Sequence, residues 1–273
     1  YIHVMDDDIA MTVLGEEREV KMSVISYKNF YDWSDLLTID PENGNEQEDS
    51  DWKKIYSHIG YLNVIISHVK KYTHDSLVTR NRIEGEARFL RGAYYYLLTN
   101  LYANPYVKET AARDMGVPLN LTEDINDKYY SRNTMEECYN AIVEDLKIAS
   151  DKLKGIKQPT IHRVNEATVR VLLSRVYLYM GEWQLALEEC KKGLELEDVS
   201  LYDMNSFESE NEDGDQQYVL SRKNPEVLFT QGMCATNSFG LEELFAWGEK
   251  NTGCVFVGSD ELLNLYSLYD NEG

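Results

Sequence analysis

Residues 165 to 196, NEATVRVLLSRVYLYMGEWQLALEECKKGLEL, constrain the fold more than any other part of this chain. Two apolar-periodic segments meet at Gly181, and Leu173, Ser174, Tyr177, Gly181, Trp183, Ala186 and Cys190 fall at fixed offsets around that turn. This is the spacing of a tetratricopeptide helix pair, a motif with a period of about 34 residues. Small side chains at Ser174 and Ala186 let two antiparallel helices approach, while Leu173, Tyr177 and Trp183 fill the space around them. One such pair leaves its outer faces uncovered. The motif therefore predicts more pairs and a mainly α fold, a tetratricopeptide-like superhelical scaffold that works by presenting surface.

Periodicity elsewhere supplies the other helices. One is expected over about 52–71, with Trp52, Ile55, Tyr56, Ile59, Leu62, Ile66 and Val69 on one stripe. A second is expected over 82–103, where Ile83, Ala87, Leu90, Tyr94, Leu97 and Leu101 step by fours and threes. A third spans 135–153, opened by Thr134 and Glu137 as a capping box, with Met135, Cys138, Ile142, Leu146, Ala149 and Leu153 on its stripe. The helices thus pair over 52–103 and 134–196, separated by an irregular insertion, 104–133, that holds Pro105 and Pro118. Loops built onto a rigid scaffold are where binding residues collect.

The flanks obey other rules. A weaker helix is expected over 6–20. The segments 40–51 and 203–215 each carry six carboxylates and no Lys or Arg, and read as solvated loops. The remainder, 197–273, is expected to be loop-rich, with a short buried strand at 225–234 and a short helix near 258–269 capped by Ser259.

At 273 residues and 43% hydrophobic composition, the chain can bury a real core. The net charge of -21 argues against nucleic acid and against direct docking to an anionic membrane, because both need clustered Lys and Arg. A neutral ligand such as a carbohydrate escapes that argument. The 20 Tyr and 4 Trp could stack on sugar faces, although most should fill core. Cys138, Cys190, Cys234 and Cys254 form no C-x-x-C pair and read as buried free thiols.

Four local patterns, in order, resemble the SusD/RagB family of glycan-binding surface lipoproteins. They are Trp52 with Tyr56, Ile59 and Asn63; the run from Gly85 to Tyr96 with Leu101, Tyr102 and Pro105; the hairpin at 165–196; and Asn224 to Phe229 followed by Ser259 to Tyr266. Members are close to twice this length and carry a lipid-attachment cysteine, so the chain is read as one SusD-like domain over 1–273, the N-terminal part of such a protein. The resemblance implies a receptor rather than an enzyme, without a cofactor, on the outer face of the outer membrane in Bacteroidetes-type bacteria. It implies two partners: an oligosaccharide or polysaccharide, and a SusC-type TonB-dependent transporter that the repeat helices contact. Attachment to the membrane would run only through an N-terminal lipid anchor not present in this chain.

Candidate glycan contacts come from residue chemistry, since sugar rings pack their C-H faces on aromatics and need directional partners for hydroxyls. Tyr31 and Trp33, in the segment SYKNFYDW, form one candidate platform; anchoring that loop to the core explains them equally well. Phe245, Trp247 and Glu249 form another, Trp247 stacking and Glu249 accepting hydroxyl bonds, with packing again the alternative. Arg80, with Asn81, stands ahead of the second helix and could reach hydroxyls, and capping explains Asn81 as well. Tyr94, Tyr95 and Tyr96 point in three directions on a helix and are assigned to core and interface; Trp183 is assigned to packing.

Catalytic and metal motifs find little support. The sequence has no G-x-S-x-G, H-E-x-x-H or G-x-x-x-x-G-K-[ST], and its five histidines keep no ligand spacing. Ser209 to Leu220 imitates an EF-hand loop but has Ser first and Leu twelfth, leaving a looser calcium site in the acidic loops as the remaining metal reading. Two other functions stay open. A helical-repeat protein adaptor would follow from the hairpin alone, and a glycosidase would need two carboxyls about 5.5 or 6.5 to 9.5 Å apart across a cleft.

Overall fold

The computed structural model describes residues 9–11, 29, 31–32, 34, 39, 44–46, 50–124, 129–196, 200–206, 224–231 and 256–269. The chain divides into two compact units, Asp51–Gly232 and the combination of Tyr1–Ser50 with Met233–Gly273.

The larger unit is built from helix pairs. Helix α1, Ser50–His68, runs into a 3-10 turn, Val69–Lys71, and is followed by α2, Leu77–Tyr102. Then come α3, Met135–Leu153, α4, Glu166–Tyr179, and α5, Trp183–Leu194. On α1 the expected stripe is the buried one, with Ile55, Ile59, Leu62 and Ile66 all under cover. On α3 all six stripe residues are buried, and Thr134 and Glu137 form the expected capping box. Each fully buried Ile or Leu there contributes roughly 1.5–3 kcal/mol.

Helix α2 departs from expectation at its start and on its buried face. It begins at Leu77 rather than 82, because Ser76 accepts a hydrogen bond from the Thr79 amide at 3.0 Å and caps the first turn. Of the expected stripe Ala87 is buried and Leu90, Tyr94 and Leu97 pack partly buried against the core, but Ile83 is 37% exposed, and the most buried residues also include Glu84, Gly85, Phe89, Arg91, Gly92, Tyr95 and Leu98. The reason is close helix approach. A Cβ on Gly85 would lie 2.7 Å from Leu153 Cγ and one on Gly92 3.3 Å from Leu146 Cγ, so glycines one heptad apart on α2 admit leucines one heptad apart on α3. An apolar stripe cannot reveal a face made of glycine.

The α4/α5 hairpin turns at Gly181, whose φ of +73° favours glycine. Ser174 Oγ donates to the Ala186 carbonyl at 2.8 Å, so the two small residues do stand at the crossing. Trp183 does not pack as expected: it opens the first turn of α5 and is 66% exposed. Cys190 is likewise an exposed free thiol, whereas Cys138 is buried. Tyr94, Tyr95 and Tyr96 diverge as expected, Tyr95 into the core, Tyr94 toward His58, and Tyr96 between Tyr139 and Tyr179.

Residues 224–231 form no strand, contrary to the expectation for 225–234. Asn224 turns the chain by accepting from the Glu226 amide, and the backbone bonds that a strand would use go elsewhere: Thr230 N–H donates to the Ile161 carbonyl at 2.9 Å, and Asn165 Nδ2 donates to the Leu228 carbonyl. Phe229 then packs edge-on against Phe89.

In the smaller unit, β1, Ile9–Met11, pairs antiparallel with β2, Phe256–Gly258. Part of the helix expected over 6–20 is therefore strand, since a partner far along the chain supplies its backbone bonds, a relation no local period records. Helix α6, Asp260–Tyr269, follows β2, and Ser259 Oγ accepts from the Leu262 amide as anticipated.

Candidate functional site

Where α1 turns into α2, the larger unit forms a hollow of about 350 Å³ that opens to solvent. Its wall is mostly aliphatic: Val64 and Ile65 from α1, Val69 from the 3-10 turn and Ile83 from α2. Tyr72, Asp75, Arg80 and His68 complete the lining. Helical spacing explains the set, because Val64, Ile65 and His68 lie within one turn of α1, and Arg80 and Ile83 are three apart on α2. The turn between the helices adds Tyr72 and Asp75, closed by the Asp75 amide donating to the Tyr72 carbonyl.

The polar groups of this cavity differ in their engagement. His68 Nε2 lies 2.7 Å from Glu123 Oε2, and a hydrogen bond from Ser67, together with the charges of His68 and Lys71, holds the Glu123 carboxyl below the usual carboxylate range. The Arg80 guanidinium makes no ion pair with any described residue, and its Nε is buried with no hydrogen-bond partner among them. Nearby, Glu84 already holds Lys152 at 2.9 Å and Lys70 at 3.7 Å. Tyr72 is 59% exposed, with its ring open at the rim. Chemically, the cavity offers a cationic donor, an anionic acceptor and a ring face beside an aliphatic wall.

The insertion after α2 is fixed to the helices rather than free. Asn63 Nδ2 donates to the carbonyls of Asn120 and Thr122, each at 2.9 Å, and its Oδ1 accepts from Arg91 Nη1 at 2.7 Å. Tyr95 donates to the Asn120 carbonyl and accepts from the Asn120 amide, and Tyr56 donates to the Pro118 carbonyl. Arg91 in turn is held by Asp145 on α3. A buried chain of polar groups thus determines where residues 118–122 lie, next to Glu123.

Of the residues expected to touch glycan, Arg80 is the one placed in this cavity. It stands inside α2, not ahead of it, and Asn81 does not cap the helix but accepts from Lys152 Nζ at 3.3 Å. Tyr31 is half-buried in a helical turn of the other unit. Trp33, Phe245, Trp247 and Glu249 lie outside the described residues, as do Cys234, Cys254 and the EF-hand-like segment. Sequence reasoning missed Tyr72 and Asp75; the signal was the polar-aromatic turn Tyr72-Thr73-His74-Asp75 joining two amphipathic helices. Among the described residues no group of three His, Cys, Asp or Glu is placed to hold a metal. No described helix is long and apolar enough to cross a membrane.

The helical body has clear relatives. No curated protein matches the chain. Among solved structures, a Bacteroides vulgatus protein assigned to sugar binding superposes with a TM-score of 0.73 at 27% identity, covering 98% of this chain and 56% of its own. A SusD superfamily protein from Bacteroides thetaiotaomicron gives a TM-score of 0.69 at 22% identity, over 97% of this chain and 55% of its own. The chain thus spans little more than half the length of these relatives. A family model, SusD-like, described as starch-binding and associating with outer membrane, matches residues 5–178. That match extends over more than half of the sequence and includes the α1 to α4 frame: the chain belongs to the SusD-like family.

Proposed function

We propose that this protein is a non-catalytic cell-surface receptor that binds an oligosaccharide or polysaccharide and delivers it to a SusC-type TonB-dependent transporter. The observation that carries the reading is the family match over residues 5–178, supported by 27% identity along 98% of the chain to a relative assigned to sugar binding. The net charge of -21 is compatible with a neutral glycan and unfavourable to polyanions. In this reading the protein is tethered to the outer membrane by an N-terminal lipid and faces outward.

Exposure and chemistry support a division of labour within this reading. The α4/α5 pair presents Leu178, Tyr179, Trp183, Leu185 and Leu187 to solvent, between 40% and 66% exposed, as an apolar surface for the transporter. Sugar is held at the α1/α2 cavity, where Arg80 and Asp75 meet hydroxyls and Tyr72 offers its ring; the segments that contain Tyr31, Trp33, Phe245, Trp247 and Glu249 are separate candidate contacts, each taken by itself. The test is native affinity electrophoresis through gels containing a panel of polysaccharides. Retardation by at least one glycan is expected; uniform mobility in all of them would favour a protein adaptor.

A further inference from the structure

We propose that the α1/α2 cavity is a subsite for a neutral sugar that carries a methyl group, the C6 methyl of a 6-deoxyhexose or the acetyl methyl of an N-acetylhexosamine. This rests on the glycan-binding reading above and adds a site and a sugar class to it. Size comes first. A volume of about 350 Å³ is near the lower end of the ~300–1,000 Å³ range of small-molecule sites, and a helix of ~10 Å diameter would not enter it. A single sugar residue with part of its neighbour fits.

The wall selects among sugars. Val64, Ile65 and Ile83 are 46%, 39% and 37% exposed around a buried Val69, which makes an aliphatic hollow open to solvent. The hydroxymethyl group of an ordinary hexose placed there would give up its water without gaining an acceptor, which is unfavourable. A methyl group in the same place gains by leaving water. The polar lining sets the charge of the ligand: the Arg80 guanidinium makes no ion pair with any described residue, while Asp75 supplies an acceptor, so donor and acceptor balance around a neutral ring. His68 is engaged with Glu123 and adds no free charge.

The experiment compares sugar pairs that differ at the methyl group, using saturation-transfer NMR and calorimetry on the whole chain: L-fucose against L-galactose, L-rhamnose against L-mannose, and N-acetylglucosamine against N-formylglucosamine. The expected result is a preference of about fourfold or more for the methyl-bearing member of at least one pair, the ratio that burial of one methyl gives. Its methyl protons should take the strongest saturation. A preference in the first two pairs identifies a 6-deoxyhexose, and one in the third an N-acetyl sugar. Val64→Thr and Ile65→Thr, both at exposed positions, should abolish the preference without shifting the thermal midpoint, whereas Arg80→Gln should weaken both members of a pair alike. Equal affinities within every pair, or a preference that survives both threonine variants, would overturn the proposal. If polysaccharides still retard the protein in that case, the receptor reading stands and this subsite falls; if none does, both fall.

Discussion

The Arg91 guanidinium forks onto the Asp145 carboxylate, with Nε 2.7 Å from Oδ2 and Nη2 2.8 Å from Oδ1, and both residues are at least 96% buried. Arg88 adds a third bond to the same carboxylate at 2.7 Å. Two helices are tied together here, and through Asn63 the same guanidinium reaches the carbonyls that set the 118–122 loop. Removing one partner leaves a buried charge uncompensated. Asp145→Asn is expected to lower unfolding free energy by about 3–5 kcal/mol in urea titrations. Amide exchange at Asn120 should rise with it, because the Tyr95 and Asn63 contacts lose their support. A loss under 1 kcal/mol would show that the pair is dispensable.

The glycine contact between α2 and α3 makes an opposite kind of prediction, in which added side chain is harmful. Gly85→Val gains at most about 1 kcal/mol in helix propensity but drives its Cβ into Leu153, where overpacking costs about 1–3 kcal/mol. Net destabilisation is expected by chemical denaturation. Combining it with Leu153→Ala should cost less than the sum of the two single changes, since the cavity and the excess volume offset each other. Strict additivity would mean that the helices do not meet at this point.

Tyrosine burial sets the alkaline limit of stability. Burial, more than any other cause, pushes the Tyr139 hydroxyl up to about 12, and it moves Tyr56, Tyr95 and Tyr96 upward as well. A raised folded value means that the unfolded chain releases these protons first, near the ordinary value of about 10. The stabilisation is complete below that pH and is lost as pH climbs from about 10 toward 12. Urea midpoints should be level from pH 8 to 9.5 and fall steeply above 10.5. Tyr139→Phe should flatten the decline; an unchanged slope would remove Tyr139 as a cause.

Trp183 tests the proposed transporter-facing surface. With 66% of its surface exposed, Trp183→Ala should leave stability within about 0.5 kcal/mol, as surface changes do. If the proposed receptor reading holds, co-purification with a SusC-type transporter should drop several-fold. A large stability loss with docking intact would return the residue to a packing role.

Much of the frame was legible in the sequence because α1 and α3 bury ordinary apolar stripes. Thr134 with Glu137, Ser259 and the Gly181 turn were legible for a similar reason: capping and positive φ are local demands met by particular residue types. Helix α2 was misread where its buried face is made of Gly85, Gly92, Arg91 and Glu84, residues whose burial depends on α3 and not on their own hydrophobicity. Pairing of Ile9 with Gly258 is non-local and left no mark near either residue. The cavity was half legible: Arg80 stood out as a possible hydroxyl donor, but Val64, Ile65 and Ile83 resemble any helix face until α1 and α2 are set side by side.

The most direct test of the receptor account is titration of the whole chain, by calorimetry, with a soluble glycan that retards it in gels, with reducing ends assayed in the same mixture. The account predicts saturable binding, no increase in reducing ends, and several-fold weaker binding by an Arg80→Gln, Tyr72→Ala variant of unchanged thermal midpoint. Reducing ends that accumulate with time would contradict it in favour of a glycosidase. The absence of any heat or retardation with every glycan tried would contradict it in favour of an adaptor.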